Sequence, residues 1–252
     1  MLTDAHLHLQ NDVFDADRTD VLTAAAETGI GRFLCAAESL NDSEKLLELA
    51  RKQPQIVPFA GTHPWHAATH DDKRFLKLLQ KHPSAGVGET GLDGLKKNPF
   101  QQSVFVRHVS AAVACDRPFV VHCVKAAAEL IGILKQFPDL PPFLCHAFAG
   151  GKNEIDFLAK KGGFFSVNGR MLSRPRFQEK LAFFPPERLL IETDSPFMRP
   201  NGALCVNAAE KRNVPANLSL TFKKLAQMLT VDETALMKRL NDNTAAFLRE
   251  KK

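Results

Sequence analysis

The sequence predicts an α/β fold, a (β/α)8 TIM barrel closed by extra C-terminal helices. Three observations predict it. Apolar, strand-forming runs alternate with segments of helical period from one end of the chain nearly to the other. The 252 residues fit the usual size of such a barrel, and no repeat, low-complexity tract or linker divides them, so a single domain over 1–252 is expected. Polar residues able to carry chemistry gather where the strand-like runs end, the edge on which barrels place their functional groups.

The first strand covers 2–9. Side chains alternate faces along a strand, so Ala5, Leu7 and Leu9 are expected to face the helices, with Asp4, His6 and His8 on the opposite face. Further strands are predicted at 32–37, 56–62, 86–90, 118–124, 142–148, 163–168 and 188–194. Helices are predicted between them at 19–28, 43–52, 71–81, 99–115, 125–136, 152–161 and 175–183. Apolar stripes such as Leu46, Leu47, Leu49, Ala50 and Phe75, Leu76, Leu78, Leu79 mark their inner faces. Gly150-Gly151, Gly162-Gly163 and Pro185-Pro186 fall in connections, where turns are needed. After the eighth strand, 217–229 and 233–249 read as two closing helices.

Composition narrows the class. No apolar run reaches the ~18 residues of a membrane span, and Met1-Leu2-Thr3-Asp4 begins neither a basic region nor an apolar signal core, so a cytoplasmic protein is expected. Five cysteines show no CxxC or zinc-ribbon spacing; Cys35, Cys123 and Cys145 sit in apolar runs and read as small buried thiols. The excess of 33 basic over 28 acidic residues is scattered singly, so charge alone does not point to nucleic acid.

The strand ends carry His6 and His8, Glu89, His122, His146 and Asp194. Singly, His122 and His146 read as satisfied core residues, Glu89 as a helix cap and Asp194 as a turn residue, whereas His6 and His8 on one face would repel or stay poorly satisfied without a metal. Together they read as a metal site. Neutral imidazoles and carboxylates without sulfur suit zinc, manganese or magnesium. Asp4, deeper on the first strand, is expected to orient a ligand by hydrogen bonding. Glu192 is open between that role and a buried structural one. Trp65 and His66 offer either a stacking surface or packing, and His70, His82 and His108 receive no role. Ser195 lacks a nucleophile elbow, and Gly86-Val87-Gly88 followed by Glu89 is no dinucleotide fingerprint.

An ordered set of segments resembles the TatD family of metal-dependent hydrolases. These are Asp4-Ala5-His6-Leu7-His8, Gly61-Thr62-His63-Pro64-Trp65, Gly88-Glu89-Thr90-Gly91-Leu92-Asp93, Val121-His122-Cys123, Cys145-His146-Ala147-Phe148 and Glu192-Thr193-Asp194-Ser195-Pro196. Weaker matches are Phe165-Ser166-Val167-Asn168-Gly169, Asn213-Val214-Pro215-Ala216-Asn217-Leu218 and Asn243-Thr244. The resemblance implies a barrel of the metallo-dependent hydrolase type with two divalent ions bridged by Glu89. His6, His8 and Asp194 would hold one ion, and His122 and His146 the other. Asp194, Glu89 and His63 are the implied catalytic groups, and His63, Asp93 and Lys125 the implied substrate contacts. The implied activity is that of a deoxyribonuclease acting on single-stranded or damaged DNA from the 3′ end. A monomer is the simplest expectation.

Two departures from the family pattern touch substrate recognition. Gly94-Leu95 replaces the usual aromatic pair after Asp93, in a chain without tyrosine. Val124 and Lys125 stand where an arginine is common, and lysine offers only a point charge to phosphate. Two other readings therefore stand beside the nuclease: an amide or ester hydrolase, aminoacyl-tRNA esters included, and a nucleic-acid-binding protein without catalysis. The full set of ligand types argues against the last.

Overall fold

Eight parallel strands stand side by side in sequence order in the computed structural model, which describes residues 1–250. They are β1 (Leu2–Leu7), β2 (Ile30–Ala36), β3 (Ile56–Ala60), β4 (Gly86–Asp93), β5 (Phe119–Val124), β6 (Phe143–Cys145), β7 (Gly163–Val167) and β8 (Leu189–Ile191). The helices are α1 (Arg18–Glu27), α2 (Leu40–Lys52), α3 (Asp72–Lys81), α4 (Gln101–Ala114), α5 (Ala127–Leu134), α6 (Lys152–Lys160), α7 (Gly169–Leu172), α8 (Pro175–Leu181), α9 (Leu218–Leu229) and α10 (Glu233–Leu248). This is a (β/α)8 barrel. Its closure lies beyond the end of β8, where Asp194 N–H donates to the His6 carbonyl at 2.9 Å and His8 N–H to that of Ser195 at 2.7 Å. The backbones of three candidate ligands thus hold the barrel shut.

Strand alternation sorts the core into two layers. Phe33 and Cys35 of β2, Phe143 and Cys145 of β6, and Phe165 and Val167 of β7 face the helices and pack with Leu46, Phe75, Phe105, Leu130 and Leu158. Their alternates Leu34, Ala36, Val120, Leu144, Phe164 and Leu190 fill the barrel with Ala5 and Phe59. Phe247 of α10 enters this inner layer and stacks on Phe59 with ring centroids 5.8 Å apart. Asn243, one turn before it, donates to the carbonyls of Pro186 and Leu189 at 2.8 Å each, which ties α10 to the start of β8. Removing that amide leaves the buried Leu189 carbonyl unpaired, at about 1–3 kcal/mol. Asn243→Ala is therefore expected to lower unfolding free energy by about that amount, measured by urea denaturation; a change within about 0.5 kcal/mol, the range of neutral surface substitutions, would remove the clamp from the account.

The structure ends four predicted strands two or more residues early and lengthens another. Those expected to reach 9, 62, 148 and 194 end at Leu7, Ala60, Cys145 and Ile191, while β4 runs on to Asp93. Ala147 and Asp194 adopt left-handed backbone (φ 44° and 59°), which no strand continues. The expected face for Asp4 is also corrected. Pairing is irregular between Asp4 and Leu7, so Asp4 lies beside Phe33 of the outer layer while Ala5 joins the inner core. An irregularity of this kind re-aims the residues that follow it. The short helices Pro64–Thr69 (3-10) and α7 have no counterpart in the predicted elements.

Candidate metal centre

Glu89 sits near the middle of β4, and its two oxygens face different partners. Oε2 lies 3.3 Å from His6 Nε2 and 3.6 Å from His8 Nε2. Oε1 lies 3.4 Å from His63 Nε2, 3.1 Å from His122 Nδ1 and 3.0 Å from His146 Nε2. Asp194 adds Oδ1 at 3.5 Å from His6 Nε2 and 3.4 Å from His8 Nε2. None of the seven is more than 8% exposed. The structure brings every predicted ligand into one cluster, with His63 at its edge.

The outer nitrogen of each imidazole shows which inner nitrogen is free. His8 Nδ1 donates to the Ala36 carbonyl at 2.8 Å, leaving Nε2 as a lone pair toward Glu89 and Asp194. His122 Nε2 faces Asp93 Oδ2 at 3.3 Å, leaving Nδ1 inward. Metal-binding histidines characteristically anchor their far nitrogen in this way. His146 Nδ1 points toward Glu192 Oε1 at 3.8 Å, beyond hydrogen-bond distance, and is buried with no hydrogen-bond partner. His6 is buried with neither ring nitrogen in a hydrogen bond, and its Nε2 is aimed between the two carboxylates. His63 differs. Its Nδ1 accepts from Trp65 N–H at 3.2 Å, so the neutral ring carries its proton on Nε2. It can therefore donate into the site but has no lone pair left for an ion.

Electrostatics agree with this assignment. Burial alone would keep His8 neutral, but the hydrogen bond it donates to Asp194 when protonated and the charge of Glu89 raise it to about 9. His122 is raised by Asp93 and Glu89 against its burial, and His146 well above the ordinary range by Glu89 and Glu192. Burial works in the other direction on Glu89, yet His146, His63 and His6 hold it well below the ordinary carboxylate range. His6 and His8 do the same for buried Asp194. At His63 burial prevails and lowers the imidazole to about 3. The pocket thus combines two ionised carboxylates with imidazoles that gather positive charge around them. A divalent cation supplies that charge and displaces the protons. Three groupings have ligand atoms within 4.8 Å of one another: His6, His8, Glu89; His6, His146, Asp194; and His63, Glu89, His122, the last of which keeps only Glu89 and His122 as donors because the lone pair of His63 is taken by Trp65 N–H. The donor set fits divalent metal.

Supporting residues fix the cluster. Asp4 accepts from Thr193 N–H at 2.9 Å and from its hydroxyl at 2.5 Å, so it acts on the residue before Asp194. Asn213 Nδ2 donates to the Thr193 carbonyl at 2.7 Å. Glu192 is buried and accepts from the Ser166 hydroxyl and from Asn168 Nδ2, with Oε1 3.8 Å from His146 Nδ1. Ser195 is buried and gives its hydroxyl to Thr193, unlike a nucleophile. His108 and His70, unassigned from sequence, bond to Thr62 N–H and Oγ1 at 3.1 and 2.8 Å and so hold the residue before His63. Cys35 and Cys145 are buried and Cys123 half-buried, whereas Cys115 is exposed; all five are free thiols.

The mouth of the site is where sequence reasoning saw least. Gly91 (φ 143°) lets β4 pass so close to β5 that a Cβ there would lie 2.0 Å from the His122 carbonyl. Two residues on, Asp93 binds His122, accepts from Trp65 Nε1 at 2.7 Å and caps the following turn through Leu95 and Lys96 N–H at 2.8 and 3.1 Å. The bond to His122, with those from Trp65 and the turn, holds its carboxyl below the usual range despite partial burial. Trp65 is 42% exposed and lies edge-on to His63 at 4.8 Å, with Lys96 Nζ 3.2 Å from its ring centroid. Lys125, the predicted phosphate contact, is exposed and makes no side-chain hydrogen bond or ion pair with the cluster; Lys96 is the cation tied to it. No signal in the sequence marks Lys96, because its reach depends on the turn that Asp93 caps.

Comparison with known proteins gives a consistent result. A family model described as TatD related DNase matches residues 3–249. A protein named 3′-5′ ssDNA/RNA exonuclease TatD from Escherichia fergusonii is 29% identical over 252 aligned residues, covering 95% of this chain and 96% of that protein. A TatD homologue from Escherichia coli K12 superposes with a TM-score of 0.88 at 26% identity, over 99% of this chain and 98% of that one. A phosphotriesterase homology protein from Escherichia coli, solved with phosphate in its active site, shares the fold at a TM-score of 0.65 and 16% identity, over 96% of this chain and 97% of that one.

Proposed function

This chain belongs to the TatD related DNase family, and from that footing we propose that it is a two-metal phosphodiesterase. It removes nucleotides from the 3′ end of single-stranded or damaged DNA, and the names of its relatives extend the substrate to single-stranded RNA. One observation carries the two-ion reading: the two oxygens of Glu89 face separate sets of imidazoles. His6, His8 and Asp194 would hold one ion, His122 and His146 the other, and Glu89 both. Zinc, manganese or magnesium so held lowers the pKa of water and neutralises charge on a phosphoryl group.

The chain's own groups have separate tasks. Asp194, ionised at neutral pH, accepts the proton of the attacking water. His63 donates from Nε2 to a phosphate oxygen. The exposed part of Trp65 stacks on a base, and Lys96 beside it faces the backbone. The test is hydrolysis of end-labelled single-stranded DNA by metal-stripped protein resupplied with Mg2+, Mn2+ or Zn2+. Metal-restored shortening from the 3′ end supports the reading. No cleavage with metal bound sinks the DNA assignment and puts ester and amide substrates first.

Asp93 links one ion to the substrate side. Asp93→Asn keeps the shape but weakens the anchor of His122, and is expected to lower affinity for one of the two ions by about 10–100-fold. A calorimetric metal titration resolves this, with the single tryptophan, Trp65, as a second reporter. Wild-type affinity for both ions would detach Asp93 from the metal centre.

A further inference from the structure

A groove of about 640 Å3 opens on the flank of the barrel, between the start of α8, the loop after β8 and α9. Arg174, Lys223 and Lys224 line it, with Gln178, Gln227 and Asn201 among them, and no carboxylate does. Several cations elsewhere on the surface are paired: Arg51 and Lys52 with Glu48, Arg74 with Glu44, Lys152 with Asp156, Lys238 with Asp242. The three in the groove have no ion pair or side-chain hydrogen bond among the described residues. α9 has no acidic residue at all. Unpaired cations crowded into one concave surface repel one another, and a polyanion relieves that repulsion.

The groove is tied to the catalytic rim. α7 leaves the C-terminal end of β7 directly, and Asn201 lies on the loop that begins at Asp194. These parts are packed in contact, since a Cβ on Gly169 would lie 2.9 Å from Thr221 Oγ1 and 3.1 Å from Pro200 Cβ. Asn217 Oδ1, at the start of α9, accepts from Val206 N–H at 2.8 Å and fixes the far side of the loop. Phe197, on the same loop, is 43% exposed with its ring 5.4 Å from that of His8. Asn201 is seven residues from Asp194. That span is at most about 25 Å, roughly seven stacked nucleotides at ~3.4 Å each.

We propose that this groove binds the phosphate backbone of a single-stranded nucleic acid several nucleotides upstream of the 3′ end being cleaved. The assignment rests on the nuclease reading for its substrate class, and it makes affinity depend on strand length. Metal-free protein, which cannot consume its ligand, is titrated with fluorescent oligothymidylates of four and twenty nucleotides over a range of salt. Wild type is compared with the triple variant Arg174→Gln, Lys223→Gln, Lys224→Gln. The variant should bind the long strand about tenfold more weakly, with a salt slope smaller by about 2, since each single-strand phosphate contact contributes ~0.7. The short strand should bind both proteins alike. Metal titration followed by Trp65 fluorescence establishes that the variant is folded, and Lys223→Arg, Lys224→Arg should retain wild-type affinity. An unchanged salt slope on the long strand, or an equal loss on the short one, overturns the proposal. If wild type with metal cleaves neither strand while the binding difference persists, the nuclease reading fails and the groove stands. If wild type cleaves both and the variant binds as wild type does, the groove fails alone.

Discussion

Glu89→Ala protein is expected to shorten single-stranded DNA about 10³-fold more slowly than wild type, and to bind fewer metal ions. Loss of a group that merely orients a ligand costs about 10–100-fold. Glu89 touches the inner nitrogens of His6, His8, His63, His122 and His146 at 3.0–3.6 Å, so its removal affects both halves of the centre at once. It also removes the negative charge that draws protons, or a cation, onto His8, His122 and His146. Glu89→Gln separates charge from shape: the amide fills the same space but offers one neutral oxygen, so it too should lose an ion. Metal content by elemental analysis, beside initial rates on end-labelled DNA, measures both effects. Two bound ions and more than a tenth of wild-type activity in Glu89→Ala would sink the bridging role.

The barrel was legible because its signal is repeated. Eight apolar runs, each spaced by a helical stripe, announce the order β1 to β8, and helix pairs 217–229 and 233–249 coincide almost residue for residue with α9 and α10. The cluster was legible for a related reason, since each of its members interrupts a strand signal at the same end. Strand ends were misjudged where polarity and geometry diverge. His146 and Asp194 extend the apolar runs on paper, but the left-handed turns at Ala147 and Asp194 end them in space. Asp4 was placed on the wrong face because strict alternation has no means of anticipating an irregular register. Asp93 was visible as a motif residue, whereas its simultaneous hold on His122, Trp65 and the 94–96 turn needs three elements brought together.

The two departures from the family pattern take on meaning in that light. Gly94-Leu95 places a short turn after Asp93 that swings Lys96 over Trp65, so aromatic surface and cation are supplied by other residues. Lys125 has a left-handed backbone (φ 51°) and an exposed side chain, and its carbonyl lies 2.6 Å from where a Gly94 Cβ would be. The two loops approach each other closely at that position, and the Lys125 side chain is left exposed.

Asp194→Asn is the sharper test of chemistry, because it can divide a proton acceptor from a metal ligand. Asparagine tolerates left-handed backbone about as well as aspartate, so the φ of 59° should survive the change, along with the Asp194 N–H to His6 carbonyl bond that closes the barrel. What is lost is the carboxylate, ionised in wild type because His6 and His8 outweigh its burial. Removing a positioned general base costs about 10²–10⁴-fold in rate. The rate should therefore fall by that factor and stay low when metal is raised to saturation. A kcat that recovers at saturating metal would mean that Asp194 serves only to hold the ion, and the proton must then leave by another group. Wild-type kcat at limiting metal would take Asp194 out of the centre altogether. His63 does not offer a ready substitute as the acceptor: its one lone pair is committed to Trp65 N–H, and burial keeps its pKa near 3. A surviving rate in the variant thus bears on the division of labour proposed for these two residues, one to take a proton and the other to give one.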